Sequence, residues 1–353
     1  MQTALSFIIA FILALALTPV MRGLARRVGA VVYPNQRSVH KVPIPHLGGA
    51  AIYLASVTAI LLTRPHDKVT EYGIIFGGLV IFLVGLIDDF LTLKPWQKVL
   101  GQIFSAATVV YLGVSITFVK DPLSGTIRFL GPLAIPLTLF WVVSFENLIN
   151  LSDGLDGLAA GIVGITALVT VFASAKVGVP SVCPLAAAVA GSVIGFLPYN
   201  FHPASIFMGD AGAMYLGLAL SVLSVQGLVK STVAMAVLAP LLALLVPISD
   251  AAFAIVRRRS SGVPVSLADR DHIHHRLLEL GMGQRQAVMA IYVVSLVFGA
   301  LGLFSTFLPV SESGPITGLA VLGLFLFAYK MGLFTVNHTR AGQKEVQKKS
   351  QRF

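Results

Sequence analysis

Residues 72–89 read YGIIFGGLVIFLVGLIDD, an apolar stretch that ends directly in two aspartates. The sixteen residues before the aspartates would form about 24 Å of helix at 1.5 Å per residue. The hydrocarbon core of a bilayer is about 30 Å thick, so Asp88 and Asp89 are expected at or slightly inside its edge. An ionised acid there is costly unless a cation, a partner or water receives it. The stretch predicts a transmembrane helix ending in two functional acids, the alternative being a pair of solvated helix-capping aspartates.

The rest of the chain repeats this apolar pattern. Of its 353 residues, 56% are hydrophobic and 11% are charged, and the mean hydropathy is +0.87. Soluble domains carry about 25% charged residues, so that class is excluded. The sequence predicts an all-α polytopic membrane protein with about eleven transmembrane helices in a single domain, 1–335, followed by a basic tail, 336–353, that we expect to be disordered. The apolar stretches are 2–20, 47–63, 72–87, 99–118, 129–145, 158–175, 181–197, 212–229, 232–255, 286–309 and 315–333.

Charge position predicts the orientation. No Lys or Arg precedes the first apolar stretch and three arginines follow it, which is the opposite of a signal peptide. With the N-terminus outside, 19 of the 25 Lys and Arg residues fall on the cytoplasmic side, together with the C-terminus. This bias explains the net charge of +10 without nucleic acid. The predicted cytoplasmic loops are 21–46, 88–98, 146–157, 198–211 and 256–285.

The same alternation places ten of the fifteen acids at four loops on the cytoplasmic face. They are Asp88, Asp89, Glu146, Asp153, Asp156, Asp210, Asp250, Asp269, Asp271 and Glu279. Several carboxylates on one face suit magnesium, which takes oxygen ligands and shares them with substrate phosphates. Phosphoryl transfer needs charge neutralisation and positioning. A transporter would place its acids nearer the midplane, so an enzyme is favoured.

Two glycine-rich segments contain acids from this set. In residues 147–157, NLINLSDGLDG, a helical turn would put Asp153 and Asp156 on one side, and the glycines would permit close approach to a phosphate. The alternative is an ordinary turn between two spans. In residues 207–212, FMGDAG, Asp210 stands just before the eighth apolar stretch, where a helix N-cap is an equally good interpretation.

Residues 269–276, DRDHIHHR, place three histidines within four residues. The cluster suggests zinc, but the acids elsewhere fit a hard, oxygen-binding cation better. Histidine and arginine beside a phosphate donate hydrogen bonds and neutralise charge. The alternative, a basic cytoplasmic loop, explains the arginines at 257–259 and explains the histidines poorly.

At these positions the chain resembles the polyprenyl-phosphate N-acetylhexosamine-1-phosphate transferases, and within that superfamily the WecA/TagO branch. The resemblance runs from about residue 1 to 335. The matching residues are Pro34, Asn35, Arg37 to Lys41, Gly48, Gly49, Asp88, Asp89, Lys98, Asn147 to Gly157, Pro203, Phe207 to Gly212, Asp250 and His272 to Arg276. His46 and Ala213 depart from the pattern, since relatives often have Arg and Ser there.

The resemblance implies transfer of an N-acetylhexosamine-1-phosphate, most simply GlcNAc-1-phosphate, from a UDP-sugar to undecaprenyl phosphate in the bacterial plasma membrane. UMP would be released, magnesium would be the cofactor with manganese as a substitute, and the product would begin an envelope glycan such as teichoic acid or the O-antigen of lipopolysaccharide. Related enzymes form homodimers. The alternatives are a phospho-MurNAc-pentapeptide transferase of peptidoglycan synthesis and a non-catalytic membrane transporter.

The resemblance also implies roles for individual residues. Magnesium ligands would be Asp89, Asp153 and Asp210, and Asp88 would deprotonate or orient the lipid phosphate. With Asp88, Asp89 and Asp153, the catalytic set would contain Asp156, His274 and His275. Substrate contacts would come from Arg37, His40, Lys98, Asn147, Asn150, Asp156, His272 and Arg276.

Overall fold

The computed structural model describes residues 1–33, 42–120, 126–230, 235–260, 272–308 and 310–330. The described chain is almost entirely helical. Its helices are α1 (Gln2–Val28), α2 (Gly48–Thr63), α3 (Lys68–Tyr72), α4 (Gly78–Leu91), α5 (Pro95–Tyr111), α6 (Ala134–Ser152), α7 (Leu158–Lys176), α8 (Cys183–Asn200), α9 (Gly209–Lys230), α10 (Met235–Ala243), α11 (Leu245–Ser260), α12 (Ile273–Glu279), α13 (Gln284–Ser305) and α14 (Val310–Lys330). A π-helical segment, Gly73–Gly77, joins α3 to α4.

The prediction of an all-α membrane protein is confirmed. Within the described residues, six helical segments are long and apolar enough to cross a bilayer. Three shorter apolar helices, Gly48–Thr63, Leu245–Val256 and Glu312–Leu326, accompany them. The six segments are Gln2–Val28, Lys68–Leu91, Gly131–Ser152, Leu158–Lys176, Pro180–Asn200 and Gln284–Ser305.

Helix α9 lies at the centre of the bundle, and its side chains from Ala211 to Gly227 are buried. Glycines let the neighbouring helices approach it closely, because a methyl group would collide with backbone. A Cβ on Gly85 of α4 would lie 2.5 Å from the Cα of Ala211, and a Cβ on Gly217 of α9 would lie 2.5 Å from the carbonyl oxygen of Phe145 in α6. Such small-residue contacts are typical of helix packing in membranes.

Several helices extend beyond the apolar stretches that predicted them. The predicted loops begin at residues 21, 88 and 146, but α1 continues to Val28, α4 to Leu91 and α6 to Ser152. A helix continues past the last apolar residue when its polar end faces protein or water instead of lipid. Asp88 and Asp89 therefore stand within the last turn of α4.

Two short antiparallel hairpins, which the sequence did not predict, connect helices. Strand β1 (Val31–Val32) pairs with β2 (Ile44–Pro45), and β3 (Phe118–Lys120) pairs with β4 (Ile127–Phe129). Phe207 links the first hairpin to the start of α2, because its amide donates to the carbonyl of Pro45 at 2.8 Å and its carbonyl accepts from the Gly48 amide at 2.9 Å. Arg37, His40, Asp269, Asp271 and the tail lie outside the described residues.

Candidate active site

A cavity of about 640 Å³ opens where α4, α6, α8 and α9 end or begin. Its wall contains five aspartates that the sequence had placed at three different loops. These are Asp88, Asp89, Asp153, Asp156 and Asp210. The remaining lining residues are Val31, Val32, His46, Thr92, Asn150, Gly154, Leu155, Asn200, Phe207, Gly209, His275 and Gln284.

Asp89 joins the end of α4 to the beginning of α9. Its Oδ1 accepts a hydrogen bond from the Asp210 amide at 2.8 Å, and its Oδ2 accepts one from the Ala211 amide at 3.2 Å. These amides belong to the first turn of α9 and have no partner within that helix. The negative charge of Asp89 also complements the positive end of the helix dipole. Asp89 therefore acts as a cap for α9 supplied by another helix.

Lys98 of α5 forms ion pairs with two of the cavity aspartates. Its Nζ lies 2.9 Å from Asp88 Oδ2 and 2.8 Å from Asp210 Oδ2. Asn150 completes the cluster, donating to Asp210 Oδ1 at 2.5 Å and accepting from Lys98 Nζ at 3.3 Å. The Leu93 amide donates to the other oxygen of Asp88 at 2.7 Å. The ammonium thus already neutralises carboxylate charge, and Lys98 is not among the residues that line the cavity.

Asp153 is the cavity aspartate with the fewest local contacts. None of the described residues donates a hydrogen bond to its carboxylate. Burial, together with the neighbouring charges of Asp210, Asp89 and Asp156, raises the pKa of Asp153 to about 7. A carboxylate crowded by other carboxylates and lacking donors is suited to a cation.

The turn 153–157 connects α6 to α7 without helical geometry. Asp153 and Asp156 face one cavity because of this turn, and not because their spacing of three residues aligns them on one side of a helix. Gly157 has φ of +81°, a left-handed conformation that favours glycine. A Cβ on Gly154 would lie 2.5 Å from Nε2 of His274, so the absence of a side chain lets α12 pack against the turn.

The histidine cluster is divided between the cavity and the protein interior. His275 lines the cavity, whereas His274 is buried between His272 and His275, with ring centroids 5.6 Å and 4.4 Å away. Burial, with a smaller contribution from the charge of His275, lowers the pKa of His274 to about 3. His272 lies 2.9 Å from Asp250 Oδ2, whose other oxygen accepts from the Ile273 amide at 2.9 Å. Asp250 thus orients the cluster.

Among the described residues, five predicted site residues do not line the cavity: Lys98, Asn147, His272, His274 and Arg276. Asn147 donates to Gln102 at 2.9 Å and to the carbonyl of Val143 at 2.8 Å. Arg276 lies 3.9 Å from Glu279. Glu146, which the loop pattern had placed on the acidic face, is wholly buried inside α6 and accepts a hydrogen bond from Ser105 at 2.6 Å.

The structure adds residues to which the sequence gave no role. His202 lies 2.7 Å from Asp156, and Thr92 and Gln284 line the cavity. His46, which the sequence marked only as a departure from relatives, also lines it, and burial lowers its pKa. His202 stands close to Asp210 in the sequence, which is a weak signal. Nothing in the sequence indicates a role for Gln284. It is the first residue of α13, and it reaches the cavity only through the packing of that helix.

Comparison with known proteins gives one family. The model of glycosyl transferase family 4 matches residues 72–228. A probable undecaprenyl-phosphate N-acetylglucosaminyl 1-phosphate transferase of Bacillus subtilis is 38% identical over 84% of this chain and 83% of its own. A decaprenyl-phosphate N-acetylglucosaminephosphotransferase of Mycolicibacterium smegmatis is 36% identical over 91% of this chain and 86% of its own. A phospho-N-acetylmuramoyl-pentapeptide-transferase of Clostridioides difficile is 28% identical over 85% of this chain and 96% of its own.

Proposed function

Because the chain belongs to glycosyl transferase family 4, we propose that it transfers N-acetylglucosamine-1-phosphate from UDP-N-acetylglucosamine to undecaprenyl phosphate. UMP is the second product, and the reaction is the first membrane step of an envelope glycan such as teichoic acid or O-antigen. The observation that supports this function best is the 36–38% identity to polyprenyl-phosphate N-acetylglucosamine phosphotransferases over most of the chain. The phospho-MurNAc-pentapeptide transferase, at 28% identity over a similar share, is the second candidate.

The chemistry fits a cavity at the ends of apolar helices. An oxygen of the lipid phosphate attacks the phosphorus that bears the sugar, a new P–O bond forms, and UMP leaves with the electrons of the broken P–O bond. Such a transfer depends on positioning and on neutralising charge. In this proposal Asp88 orients or deprotonates the lipid phosphate. Asn150 and Asp156 contact the nucleotide sugar, and His275 contacts the diphosphate.

The donor set suits magnesium, with manganese as a substitute. In the described part of the chain, no three His, Cys, Asp or Glu side chains are grouped to hold a metal alone. Magnesium commonly takes one or two protein carboxylates and completes its shell with water and substrate phosphates. Asp153, whose carboxylate receives no hydrogen bond from the described residues, is the first candidate ligand, with Asp89 and Asp210 beside it. The bound ion would neutralise charge on the transferring phosphoryl group.

We further propose eleven membrane spans in a bacterial plasma membrane, with the N-terminus outside, the C-terminus inside and the cavity cytoplasmic. The Lys and Arg distribution supports this orientation. It is tested with Lys94→Cys and Arg128→Cys in a Cys183→Ser background, using a membrane-impermeant maleimide on intact cells. Labelling of the 128 variant alone is expected, and labelling of the 94 variant alone would reverse the orientation. Association as a homodimer rests only on the resemblance and is measured by light scattering in detergent.

The function is tested by UMP release from the purified protein in detergent with magnesium and undecaprenyl phosphate. A panel of UDP-sugars, including UDP-MurNAc-pentapeptide, separates the two transferase candidates. We expect UDP-N-acetylglucosamine to be used, and Asp153→Asn and Asp210→Asn to abolish release. Release from the pentapeptide substrate alone would favour the second candidate. A chain that releases UMP from none of them would be a transporter or a scaffold.

A further inference from the structure

The carboxylate of Asp156 has one oxygen fixed by the protein and one left available. Its Oδ2 lies 2.7 Å from His202 Nδ1 and accepts from the Ala204 amide at 3.1 Å. An ionised carboxylate only accepts, so the imidazole must present its Nδ1 hydrogen. Among the residues that the structure describes, none donates to Oδ1. Because Asp156 lines the cavity, this second oxygen is the one that a ligand would meet.

His202 is itself held by the protein framework. The Arg285 side chain of α13 donates from Nε to the His202 carbonyl at 2.9 Å. Asn200 joins the segment to the 153–157 turn, accepting from the Gly157 amide at 3.1 Å and donating to the carbonyl of Ile206 at 3.1 Å. His202 is not among the cavity-lining residues, and its contact with the cavity wall is the one to Asp156. This is the arrangement of a binding group supported by a second layer of hydrogen bonds.

The chemistry of the free oxygen identifies its partner. A carboxylate oxygen accepts N–H and O–H groups and repels phosphate oxygens. Undecaprenyl phosphate carries a phosphate and a hydrocarbon chain, so its one donor is a phosphate O–H, which the proposed function assigns to Asp88, and it offers no amide, imide or alcohol donor. A nucleotide sugar carries sugar and ribose hydroxyls, an acetamido N–H and a base N–H. Oδ1 therefore fits the nucleotide sugar and not the lipid.

We infer that His202 is a positioning residue for the nucleotide sugar, holding Asp156 so that its Oδ1 accepts a hydrogen bond from an N–H or O–H of that substrate. The inference rests on the proposed function. Hydrogen bonds to charged groups contribute more than those between neutral groups, and a misplaced acceptor loses most of that contribution. Loss of the His202 contact should therefore weaken binding of the nucleotide sugar and leave binding of the lipid phosphate unchanged.

The test compares His202→Phe with His202→Asn in the UMP-release assay. Phenylalanine keeps the ring and removes the donor, whereas the asparagine amide places a donor near the position of Nδ1. We expect the phenylalanine variant to raise KM for UDP-N-acetylglucosamine roughly tenfold, with kcat and KM for undecaprenyl phosphate within about twofold. The asparagine variant should restore KM, and His66→Phe, an exposed histidine just before α3, is the matched control.

A double-mutant cycle with Asp156→Asn decides whether His202 acts through Asp156. If it does, His202→Phe adds little to KM in the Asp156→Asn background. A rise in KM for both substrates, a loss of kcat with a lower melting temperature, or no restoration by asparagine would overturn the inference. If His202→Phe fails to purify, His202→Leu replaces it in the same comparison.

If the wild-type protein releases no UMP, the proposed function is refuted. Whether the inference about His202 also fails is then decided by calorimetry, which measures binding of UDP-N-acetylglucosamine alone. In that case the His202→Phe variant should still bind roughly tenfold more weakly than wild type. Equal binding by the two proteins, or no binding by wild type, overturns the inference as well.

Discussion

Replacing Lys98 by methionine should destabilise the protein and abolish its activity. The substitution keeps the length of the side chain and removes a charge that neutralises two carboxylates, at 2.9 Å on Asp88 and 2.8 Å on Asp210. At about 3 Å and an effective dielectric constant of 20, each pair is worth roughly 5 kcal/mol before desolvation is subtracted. Breaking a buried pair by removing one partner typically costs about 3–5 kcal/mol.

The expected loss of stability lies at the lower end of that range, because solvent screens the ion pair of Asp210, whose side chain is 36% exposed, more than that of Asp88, which is 7% exposed. We expect a loss of about 3 kcal/mol, which corresponds to a melting temperature lower by roughly 4 °C for a chain of this length. Thermal unfolding in detergent, followed by intrinsic fluorescence, measures it. Lys94→Met is the matched control, since Lys94 is exposed one turn earlier and should change the melting temperature little.

A second substitution separates charge balance from packing. In Lys98→Met/Asp88→Asn only one of the two carboxylates keeps its charge, so at least half of the lost stability should return while UMP release stays absent. Lys98→Arg keeps the charge and should retain most of the stability. If Lys98→Met has the same melting temperature as wild type, or if the double variant is less stable than Lys98→Met alone, the ion-pair cluster does not stabilise the fold.

Three further predictions concern the same end of the bundle. Burial lowers the pKa of His274 to about 3, so unfolding takes up a proton below about pH 6.5; the wild type should lose stability as the pH falls through this window, and His274→Phe should lose less in parallel melting curves. Because the pKa of Asp153 is raised to about 7, its ionisation destabilises the fold as the pH rises from about 4 to 7, so Asp153→Asn should gain about 1–2 kcal/mol at pH 8 without metal and lose UMP release. A loss of stability equal to that of Asp67→Ala, which removes the α3 cap, would contradict this. Gly161→Ala should lower both melting temperature and activity because its methyl group would collide with the ring of Tyr292, whereas Gly23→Ala, which has open space, should not.

The order of acids along the chain predicted much of the site, because an apolar stretch followed by aspartates identifies a membrane edge. The structure brings Asp88, Asp89, Asp153, Asp156 and Asp210 to one cavity. What the sequence could not supply is the direction in which a polar residue points at a helix end. A one-dimensional pattern treats every acid near a span boundary alike, and only the packing of helices distinguishes those that face the cavity.

Glu146 illustrates this limit. Leu148 and Ile149, which follow it closely, are buried apolar residues, but two asparagines stand among them, so the local pattern is mixed. The loop prediction followed the end of continuous hydrophobicity and placed Glu146 on the acidic face. In the structure α6 continues to Ser152, so Glu146 points between helices, toward Ser105.

That buried acid belongs to a series of polar contacts between α5 and α6 that begins at the cavity. The residues on α5 follow one another at spacings of four and three, which places them on one face of the helix. Polar groups inside a membrane bundle are costly without partners, so a shift of one helix along the other would leave all the contacts of the series unsatisfied. The pairs are Lys98 with Asn150, Gln102 with Asn147, and Ser105 with Glu146.

The contacts therefore specify the axial register of α5 against α6. Since Lys98 is the first residue of the series, this register places its ammonium between Asp88 and Asp210. A substitution such as Gln102→Leu, which lies a full turn from the cavity, should thus disturb the ion pairs of Lys98 and lower UMP release. The polar interior of the bundle thereby determines the charge balance of the cavity.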